Sequence, residues 1–314
     1  MAHIPDGFLS APVTAGTLAA AAGLVLYAAH RSRRQLDERA APTLGLATAA
    51  VFAAQMVNFP VAAGTSGHLM GGTLVAVIFG PWAGFLVMTA VLIAQAVIFA
   101  DGGITALGAN IVNIAGVGAL LGYSVYAMAV RLVGPGPRRS ALAAALGAYA
   151  AMLLIGVAAG LELGVSGIAP TRLAVGAMAG VHAIIGLAEA TITGLVVAAL
   201  VRRQPDLIHG RPMGDRAVRP ARPLVLGALG AMAVAAGILS VVLSASPDSL
   251  ERVAIDLGFA ESGTGWVGAP FPDYEAWLAG AAGTLIAAAL GVTLLFVGTG
   301  ALLRAFRTLR RREA

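Results

Sequence analysis

Long apolar stretches, broken by short segments rich in arginine or turn residues, make up most of the chain. They fall at about 12–30, 43–59, 67–80, 82–100, 104–131, 141–161, 172–201, 223–244 and 277–303. Most approach or exceed the roughly 20 residues a helix needs to cross the hydrocarbon of a bilayer. The pattern predicts an all-α fold, a polytopic membrane helix bundle with a seven-helix core and two C-terminal transmembrane helices. The 67–80 run is short and is expected to be tilted or only partly spanning. Domain boundaries follow: a membrane core over 1–201, an Arg-rich linker over 202–222, and a two-helix accessory module with an outward loop over 223–314. Turn chemistry is expected to dominate that loop, at residues 245–275.

Composition agrees. Of 314 residues, 59% are hydrophobic and 11% charged, and the mean hydropathy is +0.87, far from the roughly 25% charged residues of a soluble domain. Cysteine is absent, which excludes disulfides, thiolate metal sites and cysteine nucleophiles. All 20 basic residues are arginine. Without lysine the chain cannot form the Gly-Lys-Ser/Thr phosphate loop of an ATPase.

Orientation is read from the arginines, because loops rich in Lys and Arg stay cytoplasmic. The clusters at Arg31–Arg39, Arg131–Arg139, Arg202–Arg222 and Arg304–Arg312 then lie inside, and only Arg172 and Arg252 face outward. The N-terminus is expected to be extracytoplasmic and the C-terminus cytoplasmic, in a prokaryotic cell (inner) membrane. Because the basic residues track topology and form no single patch, nucleic acid is not expected as a partner. No basic region precedes the first apolar run, so the N-terminus is expected to survive without signal cleavage. Small residues one turn apart, at Gly80/Gly84, Gly118/Gly122, Gly160/Gly164 and Gly176/Gly180, are expected to let helices approach closely.

The candidate chemistry sits at the start, Met1-Ala2-His3-Ile4-Pro5-Asp6-Gly7-Phe8. A chain beginning X-His offers a metal its terminal amine, the deprotonated histidine amide and the imidazole Nδ1, closing a five- and a six-membered ring. A fourth nitrogen completes a square, the geometry favoured by Ni(II) or Cu(II). Alanine is small, so removal of Met1 is expected and leaves the Ala2 amine beside His3. Were Met1 kept, the amine, two amides and the His3 imidazole would fill the square alone. His68, at the expected outer start of the third helix, is available on the same side. Asn58 and Asp101 end neighbouring helices at this mouth, Asp101 being read as a cap or loop anchor rather than a ligand. His182 and Glu189 lie seven apart on one face of the seventh helix. Ionisable groups in lipid are costly and mark function; they are read as proton sites, a second ion site, or buried partners of Asn110 and Asn113. His30 and His209 are read as solvated cytoplasmic residues.

These residues resemble the CbiM/NikM family, the substrate-capture subunit of energy-coupling factor (ECF) type cobalt/nickel transporters. The resemblance covers about residues 2–201. It rests on His3-Ile4-Pro5-Asp6-Gly7-Phe8, on Asn58-Phe59-Pro60 with Gly64-Thr65-Ser66-Gly67-His68-Leu69, on Phe99-Ala100-Asp101-Gly102-Gly103 with Ala106-Leu107-Gly108-Ala109-Asn110, and on Gly180-Val181-His182-Ala183-Ile184-Ile185-Gly186. It implies an amino end folded back into a seven-helix core, with Ala2, His3 and His68 holding the metal. The family commonly starts Met-His, so the intervening alanine makes the transfer depend on Met1 removal. The C-terminal unit resembles the CbiN/NikN module with its Pro-Asp-Gly-Leu-Glu element, here Pro247-Asp248-Ser249-Leu250-Glu251 with serine for glycine.

The resulting expectation is a membrane permease component of an ATP-driven importer. It captures Ni(II) or Co(II) as cargo, has no cofactor, is not an enzyme, and works with a transmembrane coupling subunit and cytoplasmic ATPase subunits. The alternative is a self-sufficient proton-coupled carrier using His182 and Glu189. An intramembrane metalloenzyme would need a positioned base and an open metal position, and no His-Glu-x-x-His helix occurs.

Overall fold

A computed structural model describes residues 3–33, 41–62, 65–134, 136–210, 246–264, 268–271 and 286–301. The architecture is a helical membrane bundle with one small hairpin. The core runs α1 (Ala11–Ser32), α2 (Ala41–Gln55), β1 (Phe59–Ala62), β2 (Thr65–Gly67), α3 (Gly72–Phe79), α4 (Pro81–Phe99), α5 (Leu107–Val133), α6 (Pro137–Val165) and α7 (Thr171–Arg203). Five of these, α1 and α4 to α7, are long and apolar enough to span a bilayer by length and composition. Prolines at the starts of α1, α4 and α6 fit the first turn, where no amide donor is needed.

The short 67–80 run resolves into two pieces. Phe59 pairs with Gly67 and Pro60 with Ser66 in an antiparallel hairpin, and the chain then enters the eight-residue α3. Gly71 (φ 77°) and Gly80 (φ 88°) bound that helix in the left-handed region where glycine carries no Cβ penalty. His68 therefore lies in the connection between β2 and α3, before the helix begins.

The longest helices, α6 and α7, pack along their length. A Cβ on Gly156 would lie 2.8 Å from the Met178 carbonyl, and one on Gly160 2.6 Å from the Val175 Cα, so this seam depends on small residues. Among the described residues Gly176 and Gly180 meet nothing within 4 Å, whereas their spacing suggests a close approach, because α6 lies on the other side of α7. The middle of α5, Ile111–Leu121, is π-helical. Thr73 Oγ1 donates to the Gly118 carbonyl within it, at 2.9 Å.

Of the C-terminal unit, 223–244 lies outside the described residues, as do most of the 202–222 linker and part of 277–303. The described portion of the last helix, α9 (Ile286–Ala301), packs Ala287, Ala288, Val292 and Leu295 into the same core as Leu44 and Phe52 of α2. The outward loop holds more than turns. Residues 249–257 form α8 (Ser249–Leu257), capped by a reciprocal box in which the Glu251 N–H donates to Asp248 Oδ1 (2.8 Å) and the Asp248 N–H to Glu251 Oε2 (3.3 Å). Its buried Leu250, Val253 and Ala254 recur at the spacing of one helix face and join the cluster containing Ile4 and Phe8.

Candidate metal centre

The amino-terminal segment, residues 3–8, is strapped into the bundle by backbone contacts. Asn110 grips Ile4 from both sides, Oδ1 accepting from its N–H (2.8 Å) and Nδ2 donating to its carbonyl (3.0 Å). The Gly103 N–H also donates to the Ile4 carbonyl, at 2.9 Å. Asp6 accepts from the N–H groups of Thr105 (2.7 Å) and Ile104 (3.2 Å), and from the Thr105 hydroxyl. A Cβ on Gly102 would meet His3 and Asn110, and one on Gly103 would overlap Asp6. The Asp101-Gly102-Gly103 turn thus owes its glycines to the strand lying against it.

His3 and His68 meet inside this wrapping. Their ring centroids are 5.7 Å apart, although the residues are 65 positions apart in sequence and both side chains are buried. His68 Nδ1 faces the Leu69 carbonyl at 3.0 Å, while Nε2 of both histidines is buried with no hydrogen-bond partner among the described residues. Buried polar nitrogens are nearly always satisfied, so two orphaned lone-pair positions side by side suit an electrophile. Burial, with the charge of His3 second, pushes the His68 imidazole down to about 4, so it is neutral and able to ligate at ordinary pH. Asp101 Oδ1 lies 2.8 Å from His3 Nδ1. Burial raises its carboxyl, but the charge and hydrogen bond of His3, helped by His68, outweigh that and hold it below the usual carboxylate range. Among the described residues, no three His, Cys, Asp or Glu side chains gather as a metal cluster. A metal held at these rings therefore needs backbone or terminal nitrogens as well.

The other candidate residues have different surroundings. Ala2 lies outside the described residues. Asn58 has a buried Oδ1 with no partner among the described residues and makes no described contact with either histidine. His182 and Glu189 are buried on one face of α7, as their spacing predicts, yet neither pairs with Asn110 or Asn113. Asn110 is committed to Ile4, and Asn113 Nδ2 donates to Glu162 Oε2 at 2.7 Å. Glu189 accepts the N–H groups of Met70 (2.8 Å) and Gly71 (2.9 Å), anchoring the turn that follows His68. His182 Nδ1 faces the Met178 carbonyl one turn back, at 2.8 Å. His209 is not a solvated residue: its ring packs on Gly80 and against Tyr123, and burial lowers its pKa.

The C-terminal module reaches both arms of the site. The Ser66 N–H donates to the Pro247 carbonyl (2.9 Å) and its hydroxyl to the Ser246 carbonyl (2.8 Å). The Thr264 N–H donates to the Asp6 carbonyl (2.8 Å), and Phe8 packs edge-on against Phe259. Sequence reasoning missed these straps and the Asn113–Glu162 pair. The Asp248/Glu251 capping spacing was the one signal that pointed to an ordered loop.

Comparison with known proteins matches these features. The family model "CbiM: Cobalt uptake substrate-specific transmembrane region" matches residues 3–207. The fused nickel transport protein NikMN of Rhodobacter capsulatus is 34% identical, the match covering 99% of each chain. The cobalt transport protein CbiM of Sorangium cellulosum is 33% identical over 66% of this chain and 94% of its own. The crystal structure of a transition metal transporter superposes with a TM-score of 0.58 at 33% identity, covering 64% of this chain and 92% of that one. The chain therefore belongs to the CbiM family, with a second module fused behind it, and is a multi-pass membrane transport protein rather than an enzyme.

Proposed function

We propose that the chain captures Ni(II) or Co(II) at the extracytoplasmic rim and passes it inward when a transmembrane coupling subunit and cytoplasmic ATPases drive rearrangement. The observation that carries this reading is the buried approach of His3 and His68, with Nε2 of each ring unpartnered among the described residues. The names of the relatives supply the cargo class, nickel and cobalt. The lack of lysine, and so of a phosphate loop, supports a separate ATPase subunit.

The ligand set is the Ala2 amine after loss of Met1, the His3 amide and imidazole Nδ1, and His68 Nε2. His3 Nδ1 lies 2.8 Å from Asp101 Oδ1. Chelation requires this ring to turn about Cβ–Cγ, releasing Nδ1 to the metal and offering Nε2–H to Asp101. The carboxylate then serves as an outer partner that fixes the ring. Two imidazoles bound cis to one ion, at metal–nitrogen distances near 2 Å, have ring centres about 4.5 Å apart. The 5.7 Å between the two rings supports their sharing one ion. Square-planar nitrogen coordination favours nickel over cobalt.

The arginines support an extracytoplasmic site: Arg31, Arg131, Arg139 and Arg202 lie at the helix ends away from His3, and arginine-rich ends tend to stay cytoplasmic. The core of 1–201 holds the ion, and the fused module beyond the linker closes over it.

Reconstituted uptake with and without the ATPase and coupling subunits tests the reading. ATP-dependent uptake that disappears in His3→Ala and His68→Ala is expected. Uptake by the lone chain that collapses with the proton gradient would overturn it in favour of a proton-coupled carrier.

A further inference from the structure

The end of the bundle opposite His3 contains a cavity of about 260 Å³ lined by Arg31, Pro81, Trp82, Tyr123 and His209. Asp101 lies two residues beyond the end of α4 and Pro81 is its first residue, so the 19-residue helix sets the two sites roughly 28 Å apart. The cavity is built from several elements. Tyr27 packs edge-on against Trp82 with ring centroids 4.8 Å apart, and Tyr123 likewise against His209 at 5.9 Å. The His209 N–H donates to the Val77 carbonyl at 3.0 Å, and a Cβ on Gly80 would lie 2.7 Å from the His209 ring. The turn after α7 is therefore seated against the α3–α4 junction.

The lining is cationic and aromatic, and among the described residues no carboxylate belongs to it. Arg31 makes no ion pair among the described residues. Its guanidinium is permanently charged and matches phosphate oxygens in a two-pronged fork. Trp and Tyr at this position are the residue types that settle at headgroup depth. Beside the cavity, α1 leaves Leu26 73% and Tyr27 50% exposed, an apolar track leading from the cavity toward the bilayer interior. A soluble anion has no use for such a track, whereas an acyl chain does.

We propose that this cavity binds the phosphodiester headgroup of an anionic phospholipid from the leaflet opposite the metal site. Arg31 holds the phosphate, Trp82 and Tyr123 frame the glycerol, and the acyl chains lie along α1. Basic pockets between transmembrane helices on the cytoplasmic side take anionic headgroups in this way. The assignment is independent of the metal ligands.

Native mass spectrometry of the full chain tests it, with phosphatidylglycerol or phosphatidylcholine supplied as the probe lipid. The wild type is expected to retain one phosphatidylglycerol, with phosphatidylcholine bound at least about tenfold more weakly, because its choline cation is repelled by Arg31 although the phosphate is the same. Arg31→Gln is expected to lower phosphatidylglycerol retention to the phosphatidylcholine level while its lipid-free melting temperature stays unchanged. Equal retention of the two lipids by the wild type, a measurement that needs no variant, would overturn the proposal, as would unchanged phosphatidylglycerol retention in Arg31→Gln. Displacement of the lipid by millimolar inorganic phosphate would reassign the cavity to a soluble phosphate and overturn the lipid source.

Discussion

Asn110 holds Ile4 by both edges of its amide, accepting one backbone hydrogen bond at 2.8 Å and donating another at 3.0 Å. In doing so it substitutes for a neighbouring β-strand. The strand it holds carries His3 in the adjacent position, so the ligand is positioned through backbone rather than through its own side chain.

Replacing Asn110 by leucine keeps the volume and removes both hydrogen bonds. Each is worth about 1 kcal/mol net, so nickel affinity should fall about 10- to 30-fold while the protein remains folded. Competition titration of the purified variant measures this, and wild-type affinity would show that the strand docks without the clamp.

Glu189→Gln distinguishes an anchor from a proton carrier. The carboxylate accepts both the Met70 and Gly71 N–H groups, whereas an amide can accept only one and presents donors to the other. Metal affinity should weaken about tenfold. ATP-driven uptake by this variant should stay insensitive to an uncoupler, as in the wild type. Uncoupler-sensitive uptake in the wild type that is lost in Glu189→Gln would contradict the anchoring role.

The fused module should slow metal loss. Phe259 is buried and meets Phe8 with ring centroids 5.2 Å apart, and truncating a buried phenylalanine costs about 3–5 kcal/mol of packing. Phe259→Ala should therefore speed nickel dissociation at least about tenfold by loosening residues 3–8. Stopped-flow release into a chelator reads the rate, and an unchanged rate would show the module to be uninvolved in retention.

Proton release reports the ligand types. His68 is already neutral, its pKa pushed to about 4 mainly by burial, so it gives up no proton at neutral pH. The terminal amine, ordinarily near 8, and the His3 amide must both deprotonate. Below about pH 7 the apparent Kd should therefore rise about 100-fold for each unit of acidification, and about tenfold per unit above pH 8. Affinity independent of pH between 6 and 8 would exclude amine and amide ligation.

The meeting of His3 and His68 was legible because the arginine distribution puts both on one side of the membrane, and because a histidine next to a chain end has defined chelate chemistry. The seven core helices were legible from apolar run length. What stayed hidden depends on main-chain partners. The acceptors and donors around Asn110 and Glu189 are the backbone groups of Ile4, Met70 and Gly71, which leave no signature in side-chain letters. The hairpin at Phe59–Gly67 fell in the connection between the 43–59 and 67–80 runs, and its two strands, of four and three residues, are too short to establish a period of two. Helix α8 was obscured by Pro247 and by the turn residues around it, although Asp248 and Glu251 stand at capping-box spacing. His209, read as one of the residues among the cytoplasmic arginines, gave no sign that Gly80 leaves a seat for its ring.

The central claim is that a processed amino terminus and two imidazoles share one ion. X-ray absorption on nickel-loaded protein, with the N-terminal residue established by mass spectrometry, tests it most directly. Four nitrogens in a square plane, two of them imidazole, are predicted on a chain beginning at Ala2, with one imidazole lost in His68→Ala. A six-coordinate shell rich in oxygen, or a spectrum unchanged by His68→Ala, would contradict it.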